Sequence, residues 1–168
     1  KLDSADKRFT TRLAAFYSTK YQERNTDPLV NLVTLSGKRH VAGVELDLTG
    51  RLTRQWEMFT SLMWMPIAVI DVAAPGQGVE AQGSRPSLTP TFSGTFWNTY
   101  QIDPKWRVGL GLNFRGKQTP NRNPGWEVPG YLTADLMAEY TFSEKLAVKG
   151  YLSNLANTLY ANSLYTAH

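Results

Sequence analysis

Hydrophobic and polar residues alternate with a period of two along most of this chain. The stretch from residue 106 to residue 115 is the clearest example. Its apolar positions are Trp106, Val108, Leu110, Leu112 and Phe114, and small or polar residues stand between them. A period of two is that of a β-strand, whose successive side chains point to opposite faces. No segment has a convincing helical period, so the sequence predicts an all-β chain.

The alternation predicts about seven long strands joined as an antiparallel up-and-down meander. Two of them, residues 55–71 and 91–102, are blurred because apolar residues occupy both faces. The predicted strands are residues 9–23, 30–50, 55–71, 91–102, 105–117, 128–142 and 145–154.

The connections between these strands alternate in length. Tight polar turns join the strands near residues 50–55, 102–105 and 142–145, whereas about nineteen residues separate the third strand from the fourth. In a meander every second connection lies at the same end, so the tight turns share one rim and the longer loops share the other. This asymmetry is typical of outer-membrane barrels.

The strands are also longer than those of most soluble proteins, which have about 5–6 residues. The second predicted strand has about twenty residues, which is roughly 65 Å at ~3.3 Å per residue. A strand that crosses a membrane needs only about 9–11 residues. Strand length therefore favours a membrane barrel over a soluble sandwich.

Aromatic residues accompany the tight turns. They are Trp56, Tyr100, Trp106, Tyr140 and Phe142, each within about two residues of a turn. Rings at one level of an apolar face suit a membrane-interface girdle, and the alternative is that they close the end of a soluble core. In the barrel interpretation, Glu45 and Asp47 face a watery lumen, opposite charged partners such as Arg107 or Lys149.

Composition excludes several classes of protein. The chain has no Cys, and its formal net charge of +4 is spread over single residues, so neither disulfides nor nucleic-acid binding is expected. The longest apolar run, from Met63 to Ile70, is too short for a transmembrane helix, although membrane strands need no such run.

Catalytic and metal motifs are lacking in the sequence. The two histidines are His40, expected near the rim of a strand, and His168. No Gly-x-Ser-x-Gly elbow is present, and no His, Asp and Glu cluster has metal-ligand spacing. The Gly109 and Gly111 pair precedes no helix, so these residues are expected to leave room on the lumen face and not to bind phosphate. An enzyme is therefore not expected.

Four segments together resemble a known family. They are KRHVAGVELDLTGRLTRQWEMF, GSRPSLTPTFSGTFWNTYQI, VPGYLTADLMAEYTF and LSNLANTLYANS. The matching points are residues 43–45 (Gly-Val-Glu), residues 129–131 (Pro-Gly-Tyr) with Asp135, and residues 154–155 (Asn-Leu) before Tyr160. In this order and spacing they resemble the C-terminal barrel strands of TonB-dependent outer-membrane receptors, most of all the siderophore receptors.

The resemblance implies a fold, a location and a function. Residues 1–168 would be about a third of a 22-stranded transmembrane β-barrel, with the N-terminal plug and the final strand absent. The whole protein would be an active transporter of the bacterial outer membrane that takes up a ferric siderophore. The energy would come from TonB, through an N-terminal region absent here. Iron would arrive as chelated cargo, with no cofactor resident in the protein.

Four residues are expected to contact cargo. Arg122 and Trp126 lie in the Pro-rich loop after residue 117 and offer a cation and a ring to an anionic chelate, while Arg85 and Arg115 add charge from a neighbouring loop and from the lumen. Two other interpretations remain open at this point. One is an outer-membrane barrel without transport, such as an adhesin or a structural protein, and the other is a soluble all-β binding module.

Overall fold

The computed structural model describes residues 1–4, 8–27, 32–73, 80–120 and 125–163. Eight strands form one antiparallel sheet in which every strand pairs with its neighbours in the chain. The strands are β1 (Leu2–Asp3), β2 (Phe9–Asp27), β3 (Leu32–Arg51), β4 (Trp56–Val72), β5 (Phe92–Gln101), β6 (Trp106–Arg115), β7 (Tyr131–Ser143) and β8 (Leu146–Leu152). The predicted all-β meander is confirmed, and the two-residue β1 adds to the seven predicted strands. Nowhere in these ranges is there a helix that could cross a membrane.

Cross-strand register gives the sheet two chemically different faces. Leu110 of β6 lies opposite Leu136 of β7, and the next residue pair, Gly111 with Asp135, points to the other side. We call the side of Leu110 the apolar face and the side of Asp135 the polar face. Because the side-chain period of a strand is two, the register keeps each face continuous across the strands.

A β-bulge explains the blurred pattern in β4. Val44 pairs with Trp64 and Ala42 pairs with Ile67, so β4 carries one extra residue opposite Gly43. Pro66 has no N–H to give to a ladder and is tolerated at such an irregularity. The extra residue reverses the alternation of β4, and this is why apolar residues occupy both parities around it.

Side-chain capping shapes the tight turns. The carboxylate of Asp103 accepts hydrogen bonds from the backbone N–H groups of Lys105 and Trp106, at 2.7 and 2.9 Å. Thr53 Oγ1 accepts a hydrogen bond from the N–H of Trp56 at 3.0 Å in the turn before β4. Such local bonds fix the backbone of the turn, so that β4 and β6 each begin at a tryptophan.

Few side chains are buried, because the sheet has no second layer. In the described ranges the buried hydrophobic residues are Met65, Ala68, Ile70, Val128 and Met137. Leucines of the apolar face such as Leu132 and Leu152 are more than half exposed. A sheet with so little buried apolar area lacks the core that a soluble domain of this size needs.

Candidate functional site: girdles and a polar groove

The five predicted interface aromatics lie together on the apolar face at the rim of the tight turns. Trp56 pairs with Tyr100 and Trp106 pairs with Tyr140, and the rings of the second pair are 4.7 Å apart. Phe142 meets the edge of the Tyr140 ring at 4.6 Å. The Trp56 indole donates a hydrogen bond of 2.7 Å to Asn98 Oδ1, which fixes the orientation of the ring.

A second aromatic row, absent from the sequence prediction, lies further along the same face. Its members are Trp64, Phe92 and Phe114, and the rings of Phe92 and Phe114 are 6.3 Å apart. Each stands eight residues from a ring of the first row on its own strand, which is about 26 Å along the strand and about 20 Å after a tilt of roughly 40°. This equal spacing was the signal in the sequence that would have revealed it.

Ion pairs cross the polar face near the rim of the tight turns. Glu57 accepts from Arg51 at 2.6 Å and from Arg107 at 3.1 Å, while Lys149 pairs with Glu139 at 2.6 Å. The prediction that Arg107 and Lys149 face Glu45 and Asp47 is therefore wrong. The register places Met63 and Ser61 opposite those two acids, further from the rim.

A polar groove of about 510 Å³ lies on the polar face beyond these ion pairs. Its floor carries a chain of hydrogen bonds, in which Thr95 donates to Asn113 and Asn113 donates to Asp135, both at 3.1 Å. Asp135 also accepts the backbone N–H of Asn154 at 2.7 Å. The residues that line the groove and point into it include Ser61, Ser93, Thr133, Tyr160 and Asn162.

The segment after β8 continues along β7 and reaches β6 at the mouth of this groove, at the end away from the tight turns. The Arg115 guanidinium donates from Nη1 to the backbone oxygen of Asn162 at 3.0 Å and to its Oδ1 at 2.7 Å. The Gln118 amide donates to the same backbone oxygen, and the Tyr131 hydroxyl donates to Oδ1. The Tyr131 ring also packs on the Tyr160 ring at 4.3 Å. Asn162 thus accepts hydrogen bonds from three side chains, those of Arg115, Gln118 and Tyr131.

Comparison with known proteins identifies the family. The model described as "TonB dependent receptor-like, beta-barrel" matches residues 2–155. The chain belongs to this family. Members of the family lie in the bacterial outer membrane, so the apolar face of this receptor segment faces lipid and its polar face lines the lumen.

Several receptors of the family resemble the chain over nearly its whole length. It is 27% identical to a probable TonB-dependent receptor, BfrD, of Bordetella pertussis over 97% of the chain, and 28% identical to the metal-pseudopaline receptor CntO of Pseudomonas aeruginosa over 98%. Among solved structures, the siderophore receptor PiuA of Acinetobacter baumannii superposes with a TM-score of 0.87 at 22% identity, covering 97% of the chain and 24% of PiuA. The chain spans 23% of the length of BfrD and of CntO.

Arg85 anchors the long loop between β4 and β5 of the receptor segment. The sequence predicts cargo contact for it, whereas its guanidinium donates to the carbonyl oxygens of Met65, Pro66, Thr89 and Pro90. Its partial burial lowers the pKa of the guanidinium from the ordinary value. Most of its donors are therefore committed to backbone at the bulge of β4, which leaves little capacity for a ligand.

A second tie fixes the same loop to the outer part of the sheet. Arg39 donates to Glu23 and, at 3.0 Å, to Glu80, whose other oxygen accepts the N–H of Ser87 at 2.6 Å. Burial acts to raise the pKa of Glu23, but the hydrogen bonds from Lys20 and Arg39 outweigh it and hold that pKa below its usual value. Residues 80–91 of the receptor segment are thus held at both ends.

The other predicted cargo residues are separated in the structure. Arg115 lies at the lip of the groove, and Trp126 lies in the next loop with 70% of its surface exposed. Arg122 lies outside the described residues, and so does His168. His40 lies near the middle of β3, and not near its outer end as expected, with Nδ1 2.8 Å from the Asp71 carboxylate and its ring stacked on Tyr17. No group of three metal-ligand side chains occurs in the described ranges.

Proposed function

We propose that the chain forms part of the barrel wall of an active transport receptor that imports a ferric siderophore across the outer membrane. TonB would energise the transport through a region outside this chain. The names of the relatives support the cargo class: the matched proteins include the metal-pseudopaline receptor of Pseudomonas aeruginosa and the catecholate siderophore receptor Fiu of Escherichia coli K12.

The observation that carries this proposal is the polar groove of the lumen face. The groove lies on the side of the longer loops, whereas the ion pairs lie toward the tight turns. Convergent hydroxyl, amide and guanidinium groups suit a polar, oxygen-rich chelate. Iron would enter as cargo already held by its chelator, and the protein would need no cofactor of its own.

The two competing interpretations explain fewer features. A soluble binding module would leave its large apolar residues in water, because the described part of the sheet has no covering layer. A structural barrel or adhesin would account for the aromatic rows but gives no reason for a hydrogen-bonded groove in the lumen. Transport accounts for both faces.

Uptake of labelled iron by whole cells tests the proposal. The full-length receptor is expressed in a bacterial host without its own siderophore receptors, with and without functional TonB. We expect accumulation of ⁵⁵Fe from at least one class of ferric siderophore, catecholate, hydroxamate or carboxylate, only in the TonB-positive host. Binding without accumulation is expected in the TonB-negative host. A receptor that neither binds nor imports any of the three classes would contradict the proposal.

A further inference from the structure

The contact between Arg115 and Asn162 is an unusual use of a cation. Both acceptors of Arg115 belong to Asn162 and both are neutral, namely an amide oxygen and a backbone carbonyl. No carboxylate in the described ranges forms an ion pair with Arg115, although Lys117, two residues away, pairs with Glu127 at 2.8 Å. The guanidinium thus reaches the mouth of the groove without an acidic partner.

An anion would bind this guanidinium better than Asn162 does. Hydrogen bonds from Arg to a charged oxygen are roughly twice as strong as those to a neutral one, and they are frequently bidentate. The Nε and Nη2 groups of Arg115 have no described acceptor, so a carboxylate or catecholate oxygen pair can engage them. Asn162 is therefore a replaceable occupant of this position.

Residues 159–163, which we call the latch segment, depend on these polar contacts. Leu159 is 98% exposed and Tyr160 is 47% exposed, so little apolar burial holds the segment. Its remaining ties are the bonds from Gln118 and Tyr131 to Asn162 and the packing of two tyrosine rings. Loss of the Arg115 contact would remove the charge-assisted hydrogen bonds that hold the latch segment.

The turn before the latch segment is built to stay in place when the latch moves. Asn154 and Asn157 have φ angles of 50° and 48°, a conformation that asparagine tolerates. Asn154 exchanges two hydrogen bonds with Thr158, and the N–H of Leu155 continues the ladder to Ala134 of β7. Residues 154–158 are thus a fixed base for movement of the latch segment.

We propose that an anionic oxygen of the cargo replaces Asn162 on the Arg115 guanidinium and thereby releases the latch segment from the mouth of the groove. This inference rests on the proposed function, since it concerns how the receptor admits its cargo. It assigns Arg115 as the anion site, Asn162 as the group that closes it, and an anionic chelate as the ligand that opens it.

Two substitutions with opposite effects test the latch. The probes are an anionic ferric tris-catecholate and a neutral ferric tris-hydroxamate, titrated into the full-length receptor in detergent. Asn162→Ala should raise the affinity for the anionic probe about five-fold. The group that competes for Arg115 is then absent, and the latch segment is released before the ligand binds. Arg115→Gln should weaken binding of the anionic probe at least ten-fold and leave any binding of the neutral probe unchanged. Ser163→Ala, and Lys117→Gln which removes a cation two residues away, are the matched controls and should change neither affinity.

A spin label reports the movement directly. Because the chain contains no Cys, Ala161→Cys can be labelled in a cysteine-free version of the full-length receptor. We expect 2,3-dihydroxybenzoate alone, an aromatic carboxylate, to increase label mobility, and we expect Asn162→Ala to show high mobility before any addition. Unchanged mobility, or weaker binding of the anionic probe by Asn162→Ala, would overturn the latch.

The label experiment also separates the two proposals. If the receptor neither binds nor imports any of the three classes of ferric siderophore, the proposed function fails, while mobilisation by 2,3-dihydroxybenzoate would still support an anion-operated latch. If chelates are transported but the label stays immobile, the receptor function stands and the latch is refuted.

Discussion

At the scale of single residues, Arg85 shows how one side chain can organise a long loop. Its bonds to four backbone carbonyls join the bulge of β4 to the end of the loop that leads into β5. Hydrogen bonds to charged groups contribute about 1.5–3 kcal/mol each. Arg85 therefore determines the shape of the loop.

The Arg85→Ala variant should loosen residues 80–91 without unfolding the barrel. We expect the free energy of local opening in that loop to fall by about 2–3 kcal/mol, since several backbone carbonyls lose a charged donor. Hydrogen exchange of the reconstituted receptor, read by mass spectrometry, measures this. Arg85→Lys should recover part of the protection, and Arg54→Ala in an exposed turn is the control. Equal exchange in Arg85→Ala and wild type would mean that Arg85 is not an anchor.

Gly111 is required because the ring of Trp97 approaches its backbone closely. The indole of Trp97 lies over Gly111 on the lumen face, and a Cβ at that position would overlap it. The sequence predicts that Gly111 leaves room on the lumen face, and the Trp97 ring occupies that room. Nothing lies within 4 Å of a Cβ at Gly150, which is on the lipid face of β8.

These two glycines form a matched pair for substitution. Gly111→Ala should lower the free energy of unfolding by about 1–3 kcal/mol, because the ring or the strand must move to admit the methyl group. Gly150→Ala should be neutral or slightly stabilising, because alanine reduces the freedom of the unfolded chain. Urea titration of the receptor refolded into lipid vesicles measures both. Similar losses at the two sites would show that Trp97 does not constrain Gly111.

At the scale of strands, the alternation of the sequence predicted much, and the reasons for its failures are physical. The prediction of β6 came within two residues of each end because Trp106 to Arg115 alternate without interruption. The alternation of β4 is blurred because the extra residue at its bulge, beside Pro66, moves the following side chains to the opposite face of the sheet. The local sequence does not show which of two paired strands carries such an extra residue. Register also decided the partners of Glu57, which lie six and fifty residues away.

The candidate site was less predictable than the strands. Asn162 receives hydrogen bonds from residues 31 to 47 positions earlier, so no short motif could reveal it. Asp135 was singled out only as a point of family resemblance, yet it accepts hydrogen bonds from Asn113 and Asn154. The acceptors of Arg85 are backbone carbonyls, which residue identity does not indicate, so the sequence could not reveal its role as a loop anchor. Long-range and backbone partners become visible only in the folded sheet.

The two faces of the sheet should respond differently to the same new side chain. Leu136 lies on β7 between the two aromatic levels, so Leu136→Arg should cost about 2–4 kcal/mol near the middle of the membrane. Glu45→Arg on the lumen face should cost less than about 1 kcal/mol, because Glu45 is exposed and makes no described ion pair. Unfolding of the refolded receptor in lipid vesicles compares them. Equal costs would mean that the faces are assigned the wrong way round.

At the scale of the whole molecule, the residues that the structure describes form one sheet with two open edges. β8 is exposed along its whole length, and the large apolar residues of the lipid face have no cover. Unpaired backbone groups at an edge attract other strands, and uncovered apolar surface drives association.

We therefore expect the chain, when it is expressed alone, not to be a stable monomer in aqueous buffer. It should aggregate or require detergent, and light scattering with calorimetry would follow this behaviour. The full-length receptor refolded in the same detergent is the positive control. A monodisperse, detergent-free sample of the chain that melts in one sharp cooperative transition would refute this expectation.

The eight-residue spacing between the two aromatic rows determines the thickness of the hydrocarbon core that this part of the barrel wall matches. Its band of about 20 Å is shorter than the roughly 30 Å core of a typical bilayer, and a mismatch costs a fraction of a kcal/mol per Å. The bacterial outer membrane is itself thinner than this average, so the bilayer beside these strands is expected to thin by the remaining difference and to favour shorter acyl chains there. Through this compressed ring of lipid, the receptor would attract neighbours with equally short walls and exclude taller ones.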